Sequence, residues 1–223
     1  MTVAFAFLVR DALPLAPLWA EWLAAFPLPH RVYLHAASGQ IVEVLDAMQV
    51  STVPTTWEHT IAAHRALLAA ARADDCTRFV LLSESCAPVA PPELAAEFLK
   101  RNVCYFNFHT RPVSARRRFP VALRPFYAWA EQWYILHRHA IDLLLDDELR
   151  FNDFRHCFAD NEHWPLMTLR YHKKDIWVVN HPTTCTRRLK GHAHPSTFAD
   201  LNEARLAALS CGSLFARKIR AMK

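Results

Sequence analysis

Short apolar runs alternate along this chain with segments whose apolar residues recur at helical spacing. Val3–Val9 and Arg78–Ser83 are apolar runs that indicate buried strands, whereas residues 57–72 are rich in alanine and predict a helix. Strand and helix predictions follow one another through all 223 residues. This alternation predicts an α/β fold with a mostly parallel sheet flanked by helices, and the length suits a single domain over residues 1–223.

The remaining elements follow from the same periodicities. A helix is predicted in the segment that Pro14 and Pro17 open, and it ends before Pro27. Further strands are predicted at residues 31–35, 42–45, 49–52, 103–109, 129–136, 176–179 and 213–216, and further helices at residues 92–101, 138–145, 162–169 and 197–209. In such folds ligands bind beyond the carboxyl ends of parallel strands, so the polar turn after Ser83 marks the expected site.

Several enzyme classes are excluded by what the sequence lacks. It has three glycines and neither a glycine-rich dinucleotide motif nor a phosphate-binding Gly-Lys loop. It also lacks the serine-hydrolase elbow, the His-Glu-x-x-His metalloprotease pair and the Asp-x-Asp metal clamp. His137 and His139 are two residues apart, which is the wrong spacing for one face of a helix.

The charge balance suits an anionic ligand such as a nucleotide diphosphate, and it also suits weak, non-specific contact with nucleic acid. The formal net charge is +5, and the run at residues 116–118 lacks the interleaved aromatic residues of a single-strand binder, so no nucleic-acid partner is predicted. Without a metal clamp, a diphosphate leaving group needs cations from the protein. Arg217 and Lys218 follow a predicted strand, and Arg187 and Arg188 precede it. The alternative is that these residues form an exposed basic tail.

A second polar cluster contains the candidate base. Residues 160–164 read Asp-Asn-Glu-His-Trp, and a carboxylate among aromatic neighbours can act as a general base. The alternative is an acid that only complements a helix N-terminus.

Compartment and membrane signals are sparse. The six cysteines form no C-x-x-C pair, which argues against a zinc site and favours a reducing compartment. Residues 1–9 are apolar but too short to span a bilayer, and no membrane span or signal peptide is predicted.

Five segments carry a family resemblance when they are taken in order. They are residues 3–8 with 13–14, 17–19 and 32–35, residues 79–88 (FVLLSESCAP), residues 132–133 with 138–140, residues 161–164 (NEHW), and residues 183–184 with 194–195 and 214–218 (LFARK). Together they resemble the core-2/I-branching N-acetylglucosaminyltransferase family, above all its plant-type branch.

The resemblance implies a fold and a reaction. The fold would be GT-A-like, a Rossmann-like sheet flanked by helices. The reaction would be an inverting transfer of N-acetylglucosamine, or a related sugar, from a UDP-sugar to a glycan hydroxyl. Neither a metal ion nor another cofactor is implied. Glu162 matches the family's catalytic carboxylate, which removes the acceptor's proton.

The resemblance also implies binding residues. Lys218 matches the basic position that neutralises the diphosphate, with Arg217 beside it. Three candidates stand for the second phosphate contact, namely Arg187, Arg188 and His194. The expected acceptor contacts are Glu84, Ser85 and, as a stacking platform, Trp133.

Three departures from the family pattern leave alternatives open. Ala130-Glu131 stands before Gln132-Trp133 where the family often has Gly-Ser, and Ala36 stands where an aspartate often follows the second strand. The family's membrane anchor, typical of Golgi enzymes, is not seen, so the location stays open. A non-catalytic carbohydrate-binding protein is the second hypothesis, and a His-based metal hydrolase is a weaker third.

Overall fold

The computed structural model describes residues 1–109, 119–188 and 195–219. The strands in these ranges are β1 (Val3–Val9), β2 (His30–Ala36), β3 (Met48–Gln49), β4 (Arg78–Ser83), β5 (Ala87–Pro88), β6 (Cys104–Phe106), β7 (Phe108–His109), β8 (Trp129–Ala130), β9 (Ile135–His137), β10 (Val178–Asn180), β11 (Thr184–Thr186) and β12 (Phe215–Arg217). The helices are α1 (Ala16–Ala24), α2 (Ile61–Ala73), α3 (Pro92–Leu99), α4 (Arg138–Asp146), α5 (Glu148–Phe154), α6 (Trp164–Tyr171) and α7 (Leu201–Cys211). Three 3-10 helices cover Val121–Phe126, Asp160–Glu162 and Asp175–Trp177.

A seven-stranded sheet in the order β10-β6-β9-β4-β1-β2-β3 organises the chain. The pairs β1–β2, β1–β4, β2–β3 and β6–β10 are parallel, and only β9 runs antiparallel to its neighbours β4 and β6. Two smaller sheets have the orders β11-β12-β5 and β7-β8. The predicted α/β fold with a mostly parallel sheet is confirmed, and it is consistent with a GT-A-like fold.

Strand β1 is apolar throughout, and β4 is apolar between Arg78 and Ser83, because helices cover both faces of the sheet. Phe5 and Phe7 of β1 pack on one face against Trp19 and Trp22 of α1, with the Phe5 and Trp22 rings 5.7 Å apart. Ala4, Ala6 and Phe79 lie on the other face with residues of α2 and α4. Fully burying a side chain such as Phe5 contributes roughly 1.5–3 kcal/mol, so these strands anchor the fold.

Tertiary contacts shorten several predicted elements. The helix predicted at residues 57–72 begins at Ile61, because Thr56 and His59 pair with each other and the Glu58 carbonyl accepts from Asp160. The strand predicted at residues 103–109 is interrupted at Asn107, whose carbonyl accepts from the amide of Glu131. Within the described residues, the stretch 42–45 forms no strand.

Helix α5 and strands β5 and β11 were not predicted. Strand β5 is two residues long and includes a proline, and the other two elements have a small apolar signal. Helix α5 follows Asp147, whose side chain accepts from the Arg150 amide and caps the first turn. Strand β11 lies in a stretch rich in Thr and Arg and exists because it pairs with β12.

None of the helices in the described parts of the chain is long and apolar enough to cross a membrane. The six cysteines are free thiols. The basic run at residues 116–118 lies outside the described residues.

Candidate functional site

The candidate site lies beyond the carboxyl ends of β1 and β4. Glu84 and Ser85 directly follow β4, and the Glu84 carboxylate accepts a hydrogen bond of 2.9 Å from the Arg10 amide after β1. Strand β5 then pairs antiparallel with β12, which brings the C-terminal basic residues to this edge. The amide of Ile219 donates to the Ser85 carbonyl at 3.1 Å. Glu84 and Ser85 are both half-buried, so they can be approached from solvent.

Arg217 is half-buried and packs against an aromatic ring. Its guanidinium carbon lies 4.3 Å from the centre of the Trp133 ring. Burial lowers the pKa of Arg217 from its ordinary value, while Cys86, Glu84 and Glu131 act in the opposite direction. The buried Nε–H of Arg217 has no hydrogen-bond partner among residues 1–109, 119–188 and 195–219. A buried donor without a partner costs free energy, which a bound anion would recover.

Lys218 follows directly and is held through its backbone. Its carbonyl accepts from the Phe198 amide at 2.9 Å, and its side chain is half-buried. Lys218 thus follows Arg217 along the edge that also carries Ser85, whose carbonyl accepts from the next amide, that of Ile219.

Arg187 and Arg188 are neighbours in sequence but make different contacts. Arg187 forms an ion pair with Glu203 of α7. Arg188 lies 3.5 Å from the Glu131 carboxylate and 5.9 Å from the centre of the Trp129 ring. Of the two candidates, Arg188 therefore belongs to the cluster around Trp129. His194, the third candidate, lies outside the described residues.

Glu162, the predicted base, ends the 3-10 helix Asp160–Glu162 and lies just before α6. The helix predicted from residue 162 begins at Trp164 instead, since Ala159 takes a left-handed conformation (φ 51°) and Pro165 occupies the first turn of α6. The half-buried carboxylate accepts a hydrogen bond from the indole N–H of Trp129. Glu162 is thereby joined to Arg188 through one aromatic ring.

Asp160, two residues earlier, has a structural role. It is only 1% exposed, and its carboxylate accepts from the Thr60 amide at 3.0 Å and lies 3.5 Å from His59. Burial raises the pKa of Asp160 to about 6, although the Thr60 amide and His59 favour the ionised form. These contacts fix the segment that carries Glu162 to the start of α2.

Trp133 presents little open surface. It is 5% exposed, Arg217 lies over its ring, and its carbonyl accepts from the Thr183 hydroxyl at 3.4 Å. Its role as a sugar platform stays a prediction. The contact that the structure shows is between the Trp133 ring and the guanidinium of Arg217.

Two residues of this cluster had no role assigned from sequence. Trp129 bonds the candidate base, and Glu131, 6% exposed, accepts from the Thr186 hydroxyl at 3.2 Å and contacts Arg188. The sequence offered one signal for Glu131, which is that a charged residue stands within the aromatic stretch 127–134. The Trp129 contact has no comparable signal, because it joins residues 33 positions apart.

A cleft of about 490 Å³ runs along β11 next to this cluster. Its lining includes Asn107, Thr186, Arg187 and Glu203. Among the described residues, no group of three or more His, Cys, Asp or Glu side chains is arranged to hold a metal ion. His137 is buried beside Trp177, and burial lowers its pKa to about 4.

Comparison with known proteins assigns the chain to a family. No curated protein sequence matches it significantly. A family model described as core-2/I-branching enzyme matches residues 3–210, a range that contains Glu84, Trp133, Glu162 and Arg188 and ends before Lys218. The core-2/I-branching enzymes are glycosyltransferases, and because the match spans most of the chain, this protein belongs to the core-2/I-branching enzyme family.

Proposed function

We propose that the protein is an inverting glycosyltransferase that needs no metal ion and moves N-acetylglucosamine, or a related sugar, from a UDP-sugar to a glycan hydroxyl. The observation that carries this proposal is the cluster at the sheet edge. There the indole of Trp129 donates to the candidate base, Glu162, and the guanidinium of Arg188 lies over the same ring and contacts Glu131. Arg188 and Glu131 in turn act electrostatically on Arg217, at the chain's end.

The cations support a diphosphate leaving group. Arg217 has a buried N–H without a partner in the described parts of the chain, and the Lys218 ammonium forms no ion pair with a described residue. Fixed positive charges in a partly buried site stabilise developing negative charge more strongly than they would in water. Lys218 and Arg217 would therefore offset the charge of the departing UDP, with Arg188 as the second contact.

Glu162 supports the other half of the reaction. As the acceptor oxygen attacks the anomeric carbon, Glu162 takes the hydroxyl proton, and the bond from that carbon to the diphosphate oxygen breaks. Attack opposite the leaving group inverts the anomeric centre. Glu84 and Ser85 are half-buried beside the chain's end, where the Ser85 carbonyl accepts from Ile219, and are suited to bind acceptor hydroxyls.

Exchange of the carboxylate for an amide tests the base. Glu162→Gln keeps the shape of the side chain but cannot take up a proton, so we expect a loss of about 10²–10⁴-fold in kcat. UDP affinity, measured by calorimetry, should stay within about twofold of the native value, because a general base adds little to ground-state binding. Native turnover in this variant contradicts the assignment of Glu162.

A ligand panel tests the donor and the independence of metal. Thermal shifts with UDP and a set of UDP-sugars, with and without EDTA, should show the same stabilisation in both conditions. A ligand at 100 times its Kd raises the free energy of unfolding by about 2.7 kcal/mol, which such a measurement resolves. A shift that vanishes with EDTA contradicts the metal-free proposal.

A non-catalytic carbohydrate-binding protein is the second candidate. The buried Glu131 beside Arg188 favours it, since a carboxylate there neutralises part of the charge that a diphosphate needs. Glycan binding without UDP binding would support this alternative, whereas UDP-dependent transfer would exclude it.

A further inference from the structure

We infer that Trp129 is a positioning residue for Glu162, and that Glu131 holds the Trp129 ring in place through Arg188. The inference rests on the proposed function, because Trp129 can position the base only if Glu162 is that base. Neither residue belongs to the segments that carry the family resemblance.

The indole of Trp129 is suited to orient a base. Its Nε1–H donates to the Oε2 atom of Glu162. An indole N–H is a donor and never an acceptor, so Trp129 can fix the carboxylate without competing for the acceptor's proton. A hydrogen bond to an ionised carboxylate is also among the stronger kinds in proteins.

The Trp129 ring is itself held from several sides. It is 8% exposed and belongs to β8, which pairs with β7 so that Trp129 lies opposite His109. The His109 and Trp129 rings are stacked, 5.7 Å apart with an angle of 25° between their planes. The Arg188 guanidinium lies over the Trp129 ring at 5.9 Å, a distance that allows cation–π attraction.

Glu131 fixes the arginine. Its carboxylate contacts Arg188 at 3.5 Å and accepts from the Thr186 hydroxyl at 3.2 Å, while its own amide donates to the Asn107 carbonyl at 2.8 Å. Because Glu131 is only 6% exposed, it is a rigid anchor for the exposed Arg188. The contacts thus run from Glu131 through Arg188 and Trp129 to Glu162, and they join the cationic part of the site to the base.

The first experiment removes the indole N–H and keeps an aromatic ring. Turnover is measured as UDP release, with the UDP-sugar of the thermal-shift panel that the native protein turns over fastest. Trp129→Phe should lower kcat about ten- to hundredfold, since a 1 Å error at a catalytic group can cost about 10²-fold. The Kd of UDP should stay within about twofold. Trp22→Phe is the matched control, because it removes an indole bond of 2.8 Å to the Ala90 carbonyl within the core, and its kcat should equal the native value.

A double variant separates positioning from general damage. If Trp129 acts through Glu162, adding Trp129→Phe to Glu162→Gln should cause no further loss of kcat. A native kcat for Trp129→Phe, or losses that multiply in the double variant, overturns the inference while leaving the proposed function intact. A native kcat for Glu162→Gln instead overturns the proposed function and this inference with it.

Glu131→Gln provides a second variant if Trp129→Phe fails to fold. It keeps the side-chain shape but removes the charge that holds Arg188, so kcat should fall about three- to tenfold, again without further loss in the Glu162→Gln background. An unchanged kcat in Glu131→Gln contradicts the part of the inference that concerns Arg188.

Discussion

The segment that carries the proposed base and the basic residues at the chain's end differ in how their polar groups are satisfied. On the base side, Asp160 accepts from the Thr60 amide at 3.0 Å, the His163 ring nitrogen contacts the Ala128 carbonyl at 2.8 Å, and Glu162 accepts from Trp129. On the cation side, neither the Arg217 Nε–H nor the Lys218 ammonium has a partner among the described residues.

This difference indicates a division of labour. A base must be aimed before the reaction begins, so the protein fixes it with its own hydrogen bonds. Cations that receive a leaving group gain most if their donors stay available until the anion arrives. If these residues have the roles that we propose, the base side is preorganised by the protein and the cation side is completed by the ligand.

Loss of Lys218 should disrupt the cation side most. Lys218→Ala removes a charge beside the diphosphate, and we expect kcat/KM to fall about 10²–10³-fold, the usual range for removing one group that stabilises developing charge. UDP calorimetry should show weaker binding as well. Lys100→Ala, which removes an exposed lysine paired with Glu97, is the control and should leave both quantities unchanged. Equal UDP affinity in the Lys218 variant would show that the cation side does not bind the diphosphate.

A substitution at Asp160 tests whether the buried, ionised carboxylate of this residue lowers the stability of the fold. Burial raises the pKa of Asp160 to about 6 from a reference value of 3.8. Between these two pH values the folded protein binds more protons than the unfolded chain. The contribution of Asp160 to the free energy of unfolding therefore falls by up to about 3 kcal/mol as the pH rises from about 4 to 6.

Asp160→Asn removes this ionisation and keeps a carbonyl oxygen that can accept from the Thr60 amide. Urea unfolding at pH 4.5 and pH 7 should show the variant gaining stability relative to the native protein at the higher pH. A native-minus-variant difference that is the same at both values would rule out the buried ionisation.

The adjacent arginines provide the smallest and most selective test. Arg188→Ala should weaken UDP binding about tenfold, because a charged hydrogen-bond donor contributes roughly 1.5–3 kcal/mol and part of that is already directed to Glu131. Arg187→Ala removes only a surface ion pair with Glu203, which typically contributes 0–1 kcal/mol to stability, and should leave UDP binding unchanged. The reverse order of effects would move the anion site to the cleft along β11.

Sequence patterns predicted the central elements because those elements depend on near neighbours. The apolar runs of β1 and β4 and the spacing of α1 indicated the sheet and its first covering helix directly. Elements that depend on distant partners were missed, or their ends were predicted wrongly. Strand β11 exists through its pairing with β12, and residues 57–60 are held out of α2 by the contact between Glu58 and Asp160.

The sequence alone determined the α/β class, the family and the residue types available for chemistry, because all three follow from local periodicity and short motifs. Only the tertiary structure decided that Arg188 rather than Arg187 joins the Trp129 cluster, and that Trp129 contacts Glu162. Side chains of successive residues leave an extended chain on opposite sides, so the contacts of the two arginines depend on what packs on each side. Those neighbours come from segments far apart in the chain, and no local pattern encodes their approach.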